Sequence, residues 1–406
     1  MLSPVGVECI GLQMAMRVKG EDSPIGTTST LVKAALLTCV VFLAAGGCNP
    51  APAEPTSTAV LPSLTAASAT GTPTTTPLPS PSPTSSPLPP TPVPTPSGPT
   101  PVPPVIFRTW KLQGGVTPVN YLADLCTYYR LRWSPDASPP GTVVAPIFFH
   151  SIRISPGPMP DNVSIPEDQF LQYVEYARSQ GFETITITQL IDFLNENARI
   201  PARSMILIVD DRRPGVLADN FLPVLKKRNW SVASAWPIGE TTSEQWIEVQ
   251  HIYESGRVEF EAHGWIHNIP ISQGSSDAFI QHEVVDPIAV FQEHLGVRPL
   301  AFVWPGGGFA RHAAEIARQA GYELGFTSNA RGPLMFGWVP MGVDEMKIGD
   351  PLMVLPRDWA PTWDAALRRA MAIADEARQF ALTSYPAESA WYRAACGGEL
   401  PPAPAF

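Results

Sequence analysis

Asp210 and Asp211 stand side by side, and His263 and His267 stand four positions apart; these four side chains have the types and spacing to do chemistry. Two adjacent carboxylates repel one another and lose hydration when withdrawn from water, so they persist most easily where a cation or a catalytic proton balances them. Two imidazoles in a His-x-x-x-His arrangement can converge on one ion. A carboxylate from elsewhere then completes a three-ligand face with an open position for water, the usual layout of a catalytic zinc. Each feature alone has a plainer reading: Asp-Asp pairs are common in solvated turns, and a single histidine is more often a satisfied structural residue. The combination, each part following its own apolar run, points to metal-assisted hydrolysis.

These residues need a scaffold, and the surrounding pattern describes one. Met205-Ile206-Leu207-Ile208-Val209 runs straight into the Asp pair and reads as a strand buried on both faces of a parallel sheet. His263 follows Val258-Glu259-Phe260-Glu261-Ala262, a second short strand. A third strand over 143–149 ends at His150, a position that suits either a structural cap or a functional role. Further strands are expected over 184–186, 231–235, 300–304, 323–327 and 352–355. Helical spacing is expected over 168–180, 187–195 with Thr188 as its cap, 217–228, 243–255, 277–295, 311–319 and 362–380. Pro287 should bend or divide the helix it falls in. Short buried strands alternating with amphipathic helices predict a parallel α/β barrel. His150, Asp210, Asp211, His263 and Arg357 each lie just after an expected strand, on the face where such barrels carry their active sites.

In type and order these motifs resemble the polysaccharide deacetylase family (NodB homology domain, carbohydrate esterase 4), nearest its members acting on poly-N-acetylglucosamine. Ile208-Val209-Asp210-Asp211-Arg212 corresponds to the family's Thr-Phe-Asp-Asp-Gly, His263 to His267 to its His-Ser/Thr-x-x-His, and Trp304-Pro305-Gly306-Gly307 to its aromatic-Pro-x-Gly turn. The resemblance covers about residues 143 to 357. It implies a distorted (β/α) barrel, often of seven strands. It implies that Asp211, His263 and His267 hold a divalent metal, zinc foremost, and that Asp210 is the general base. The metal lowers the pKa of a bound water and stabilises the oxyanion formed at the acetamide carbon. The family's late histidine has no counterpart, because no histidine follows His312, and His150 is the substitute general acid. Val303 stands where an arginine often precedes the aromatic-Pro turn, which leaves Arg357 to orient Asp210. Arg212, with Arg213 behind it, makes the loop beside the metal bulkier and more positive than the family's glycine would. Pro305 and Gly307 are expected along the sugar groove, with Trp304 and Trp359 either lining it or packing in the core. The implied activity is N-deacetylation of an N-acetylated cell-surface or extracellular polysaccharide. The alternatives are a catalytically degenerate, glycan-binding surface lipoprotein of the same fold, or hydrolysis of O-acetyl esters or another amide.

The rest of the chain suggests where such an enzyme works. Of 406 residues with a net charge of −10, 47 are proline, and they are densest in 49–105, a Pro/Thr/Ser-rich stretch too poor in large apolar side chains to fold. Residues 1–48 carry a short apolar run after Lys33 that has the form of a signal-peptide core. Ala45-Gly46-Gly47-Cys48 resembles a lipobox, so a lipid anchor on Cys48 at the outer face of a bacterial membrane is expected, with a secreted product the alternative. Initiation at Met14 or Met16 would shorten an unusually long leader. Of five cysteines, Cys9 and Cys39 leave with the signal, and Cys126 and Cys396 either pair as a disulfide or remain unrelated thiols. The domain reading is an accessory segment over 106–142, the barrel over 143–385 and a tail over 386–406. No basic run or aromatic-basic stripe favours nucleic acid.

Overall fold

Among the described residues, eight strands, every pair parallel, make the main sheet of the computed structural model: β1 (Val143–Phe149), β2 (Glu183–Thr184), β3 (Arg203–Asp210), β4 (Val232–Trp236), β5 (Val258–Ala262), β6 (Ala301–Val303), β7 (Leu324–Phe326) and β8 (Asp358–Trp359). The structure describes residues 101–153, 163–266 and 269–403. Strand order is β7-β6-β5-β4-β3-β1-β8, with β2 paired to β3 outside that path. One edge of β3 is shared: β2 pairs with Ser204 and Met205 at its start, and β4 pairs with Ile208 to Asp210 at its end. The sheet curls until its two ends are linked through one short segment. Leu355 bridges in parallel to Phe326 of β7, and three residues later Asp358 and Trp359 pair with Ile147 and Phe148 of β1.

The apolar composition of the strands accounts for this arrangement. All seven residues of β1 and the last seven of β3 are buried, as a parallel sheet covered on both faces requires. On the side facing the helices, Phe149 meets Phe170 and Phe221 edge-on at 5.8 and 5.3 Å between ring centroids. Each such ring contributes roughly 1.5–3 kcal/mol by leaving water.

Helix boundaries follow capping chemistry. The helix Ile187–Glu196 is capped by Thr186, whose hydroxyl accepts from Gln189 N while the Gln189 side chain returns to the Thr186 amide. Thr188, expected as that cap, lies two residues further on, within the helix's first turn. The helical stretch around Pro287 is divided into Asp277–Ile280, a π-helical turn Gln281–Val285, and Asp286–Leu295, which takes the proline in its first turn where no amide is needed.

Two expectations need correction. The strand expected over 352–355 is instead a 3-10 turn, Pro351–Met353, because Pro351 starts a helical turn and the Asp350 carboxylate accepts from Leu352 N. Only Leu355 bridges the sheet, so Arg357 precedes β8 and does not follow a strand. The closing helix runs Trp363–Cys396, through Pro386, so the tail expected from 386 begins as helix.

The N-terminal segment is bound to that helix. Thr117–Val119 pairs antiparallel with Val339–Met341, and the helix Leu125–Arg132 is joined to the closing helix by a Cys126–Cys396 disulfide. Trp133 Nε1 donates to Glu388 Oε2 at 2.6 Å, and Trp391 Nε1 donates to the Pro101 carbonyl at 3.1 Å. Chain expected as spacer up to 105 is therefore already held at Pro101. The expected leader, Cys48 and the other residues up to 100 lie outside the described residues. Among the described residues no helix is long and apolar enough to cross a membrane.

Candidate active site

Strand register brings the chemistry to one rim. Phe149 is level with Val209, Asp210 with Ala235, Trp236 with Ala262, and Ala262 with Phe302. The residues that leave the carboxyl ends of β1, β3 and β5 are His150, Asp211 and His263. They emerge together, with Asp210 the last residue of β3.

Asp210 and Arg357 are both buried, and Arg357 Nη1 donates to Asp210 Oδ1 at 2.6 Å. Arg357 is itself fixed: its Nε donates to the Thr327 carbonyl at 2.9 Å, and its guanidinium lies 4.3 Å over the Phe148 ring. Burial pushes the Asp210 carboxyl up, but the charges of Arg357, His263 and His150 and the Arg357 hydrogen bond outweigh it and hold the group below the usual carboxylate range.

Asp211 turns out of the strand with φ of 71°, a left-handed conformation that aspartate tolerates better than most residues. The turn lets its two oxygens face different partners. Oδ1 lies 3.8 Å from His263 Nε2, and Oδ2 lies 2.9 Å from Arg213 Nη2 and 3.9 Å from His150 Nε2.

His263 is 2% exposed, and its Nδ1 lies 2.8 Å from the Val303 carbonyl oxygen. A carbonyl only accepts, so Nδ1 carries a proton that it donates, and Nε2 is the ring nitrogen that faces Asp211. The residue at 303 thus orients this histidine through its backbone, whatever its side chain.

His150 lies parallel to the Trp359 indole, 8° between planes and 6.1 Å between centroids. Burial lowers its pKa; the nearby carboxylates of Asp210 and Asp211 oppose this, and Arg357 and Arg213 add to the lowering. Trp359 is half-buried and anchored by its Nε1 to the Ser328 carbonyl at 3.2 Å, so it stands at the site. Trp304 does not: it is fully buried, with Nε1 donating to the Met353 carbonyl at 2.8 Å, and it is a core residue that no sugar can reach. Pro305 is buried against Gly264, while Gly307 has φ of 71° and would place a Cβ 2.0 Å from Ser328 Oγ, so only glycine fits there.

The two arginines after the acid pair diverge. Arg212 turns away, donating to the carbonyls of Gly239 and Pro237. Arg213 turns inward and spans Asp211 Oδ2 and Ser151 Oγ. Sequence reasoning passed over Ser151, Thr327 and Glu283, whose carboxylate holds the amides of Trp265 and Ile266. Only Glu283 carried a signal, as an acid within the apolar periodicity of Ile280 and Val284.

Of the three expected metal ligands, Asp211 and His263 come together; His267 lies outside the described residues, which by themselves contain no group of three or more ligating side chains. The donor chemistry nevertheless fits a divalent cation. An imidazole whose Nδ1–H is given to a backbone carbonyl, with Nε2 turned toward a carboxylate, has the arrangement usual in metal-ligating histidines.

Residues 198–325 match the family model described as polysaccharide deacetylase. No curated protein matches the sequence significantly. Among solved structures, the Streptococcus pyogenes deacetylase PplD in complex with acetate aligns at 18% identity and a TM-score of 0.47, covering 56% of this chain and 98% of that one. IcaB from Ammonifex degensii aligns at 20% identity and 0.44, covering 57% and 97%, and the BpsB deacetylase domain from Bordetella bronchiseptica at 20% and 0.42, covering 55% and 97%. The family match spans β3 with its Asp pair and β5 with the histidine that follows it, so over residues 198–325 the chain is similar to the polysaccharide deacetylase family.

Proposed function

We propose that this protein removes acetyl groups from an N-acetylated polysaccharide by metal-dependent hydrolysis of the amide. The observation that carries the proposal is the pairing of Asp211 Oδ1 with His263 Nε2 at 3.8 Å, next to a second carboxylate, Asp210, that is held apart from them by Arg357. Asp211 and His263, with His267 from the sequence motif, would hold the cation, zinc foremost. A divalent ion bound there supplies a water of lowered pKa and a positive charge for the developing oxyanion.

The protein's own groups do the rest. Arg357 occupies Oδ1 of Asp210, which leaves Oδ2 to take the proton of the attacking water. The low pKa of Asp210 keeps that oxygen ionised at neutral pH. The proton that Asp210 takes from the water is returned to the departing amine by way of His150, on the far side of Asp211, and Trp359 beside it offers a flat apolar face to a sugar ring. Poly-N-acetylglucosamine is the glycan we assign first, on the strength of the aromatic-His pair Phe149-His150. From the sequence alone we place the enzyme outside the cell, anchored through lipid on Cys48.

The test is acetate release from N-acetylated oligosaccharides by the purified protein supplied with zinc, cobalt or nickel, beside metal analysis of the same samples. Asp210→Asn should retain metal and lose turnover, whereas His263→Ala should lose both. Glycan binding without acetate release by the parent protein under all three metals would overturn the enzymatic reading.

A further inference from the structure

A charged group that the mechanism does not use lies behind the histidine loop. Glu283 is fully buried, and its carboxylate is spent on two consecutive amides of that loop: Oε2 accepts from Trp265 N at 2.8 Å and from Ile266 N at 3.0 Å, and Oε1 lies 3.2 Å from Ile266 N. A carboxylate is costly to bury, and it persists where charge-assisted hydrogen bonds repay its hydration. These amides belong to the segment that leaves His263.

Loop and carboxylate are shaped to each other. Gly264 has φ of 79°, and a Cβ built there would lie 2.6 Å from Glu283 Oε2 and 2.9 Å from Pro305 Cγ. A side chain at 264 therefore meets both obstacles and a strained backbone at once. Glu283 is presented by the π-helical turn Gln281–Val285, a form found mostly as single turns within α-helices and frequently at functional sites. The turn is itself tied down, since Tyr322 Oη donates to the Val284 carbonyl at 2.8 Å.

Resting on the metal-dependent reading above, we propose that Glu283 is a positioning residue. It fixes the backbone at 264–266 so that the loop starting at His263 is already in its cation-binding form before the cation arrives. Glu283 touches neither substrate nor metal. Its effect falls on affinity for the cation, because a loop that must be ordered on binding lowers that affinity.

The experiment uses the full chain, stripped with a chelator and titrated with zinc against a chromophoric competitor, as wild type, Glu283→Gln, Glu283→Asp and Gly264→Ser. Amide hydrogen exchange is followed on the same metal-free samples. Glu283→Gln and Glu283→Asp should weaken zinc binding by about 10–100-fold, the usual effect of removing a group that supports metal ligands. Both should also speed exchange at Trp265 and Ile266 while the strands exchange as in wild type. Gly264→Ser approaches the same contact from the other side and should weaken binding comparably, which keeps the test intact if a Glu283 variant does not fold. Zinc affinities within twofold of wild type in the folded variants would overturn the proposal and leave the deacetylase reading standing. A wild-type protein that binds no zinc, cobalt or nickel would overturn both.

Discussion

Arg357 Nη1 and Asp210 Oδ1 lie 2.6 Å apart in a buried ion pair that joins residues 147 positions apart in the chain. Removing one partner leaves the other charged and without its counter-ion, at a cost of about 3–5 kcal/mol. Arg357→Ala should lose that much in urea unfolding, and a loss under about 1 kcal/mol would show that the pair does not hold this rim together. Asp210→Asn combined with Arg357→Met removes both charges, and it should recover most of the stability while remaining inactive.

His150 stands 3.9 Å from Asp211 and stacks on Trp359, so it can lose its imidazole without unmaking a buried charge pair. His150→Asn should lower kcat by about 100- to 10,000-fold, the usual range for a general acid or base, with KM changed only a few-fold and Tm near wild type. A kcat within threefold of the parent would move the proton-donor role to another group.

How far the sequence disclosed this site can be argued residue by residue. The Asp pair and His263 were legible because each ends an apolar run, and parallel register carries strand ends to one rim. Arg357 could be matched to Asp210 from motif order, but its placement after a strand was misjudged: a proline-led turn looks like an apolar strand when only hydrophobicity is read. Trp304 looked available to a sugar because aromatic residues serve cores and grooves alike, and only burial separates the two. The inward turn of Arg213 was not legible at all. It depends on the left-handed backbone of Asp211, and no spacing rule encodes that.

The Cys126–Cys396 disulfide closes a loop between residues 270 positions apart and ties the helix Leu125–Arg132 to the end of the closing helix. In the chain-entropy account, long loops gain most from closure, and loss of such a bond costs about 2–5 kcal/mol. Cys126→Ser should lower the urea midpoint accordingly, and reduction of the wild-type protein should give the same shift. Equal midpoints for oxidised and reduced protein would show that the N-terminal segment is held by its side-chain contacts alone.

Asp358 gives the fold a pH dependence that is separate from the chemistry. Burial raises its carboxyl from an ordinary value near 4 to about 6, and the charges of Arg369 and Arg331 only partly oppose this. The sign follows from proton counting. Between about pH 4 and about pH 6 the folded protein holds a proton at Asp358 that the unfolded chain has released, so stability falls as pH rises. The contribution is fully present below about pH 4 and is lost through about pH 6, for a total of about 3 kcal/mol. Asp358→Asn keeps the shape without the titration. Compared with wild type in urea unfolding from pH 4 to 8, it should have a flatter profile and a smaller deficit at pH 8. Profiles of equal slope would place the titrating group elsewhere, with Glu261, a buried carboxyl raised well above its ordinary range and hydrogen-bonded to Leu300 N and Ala301 N, the next residue to replace.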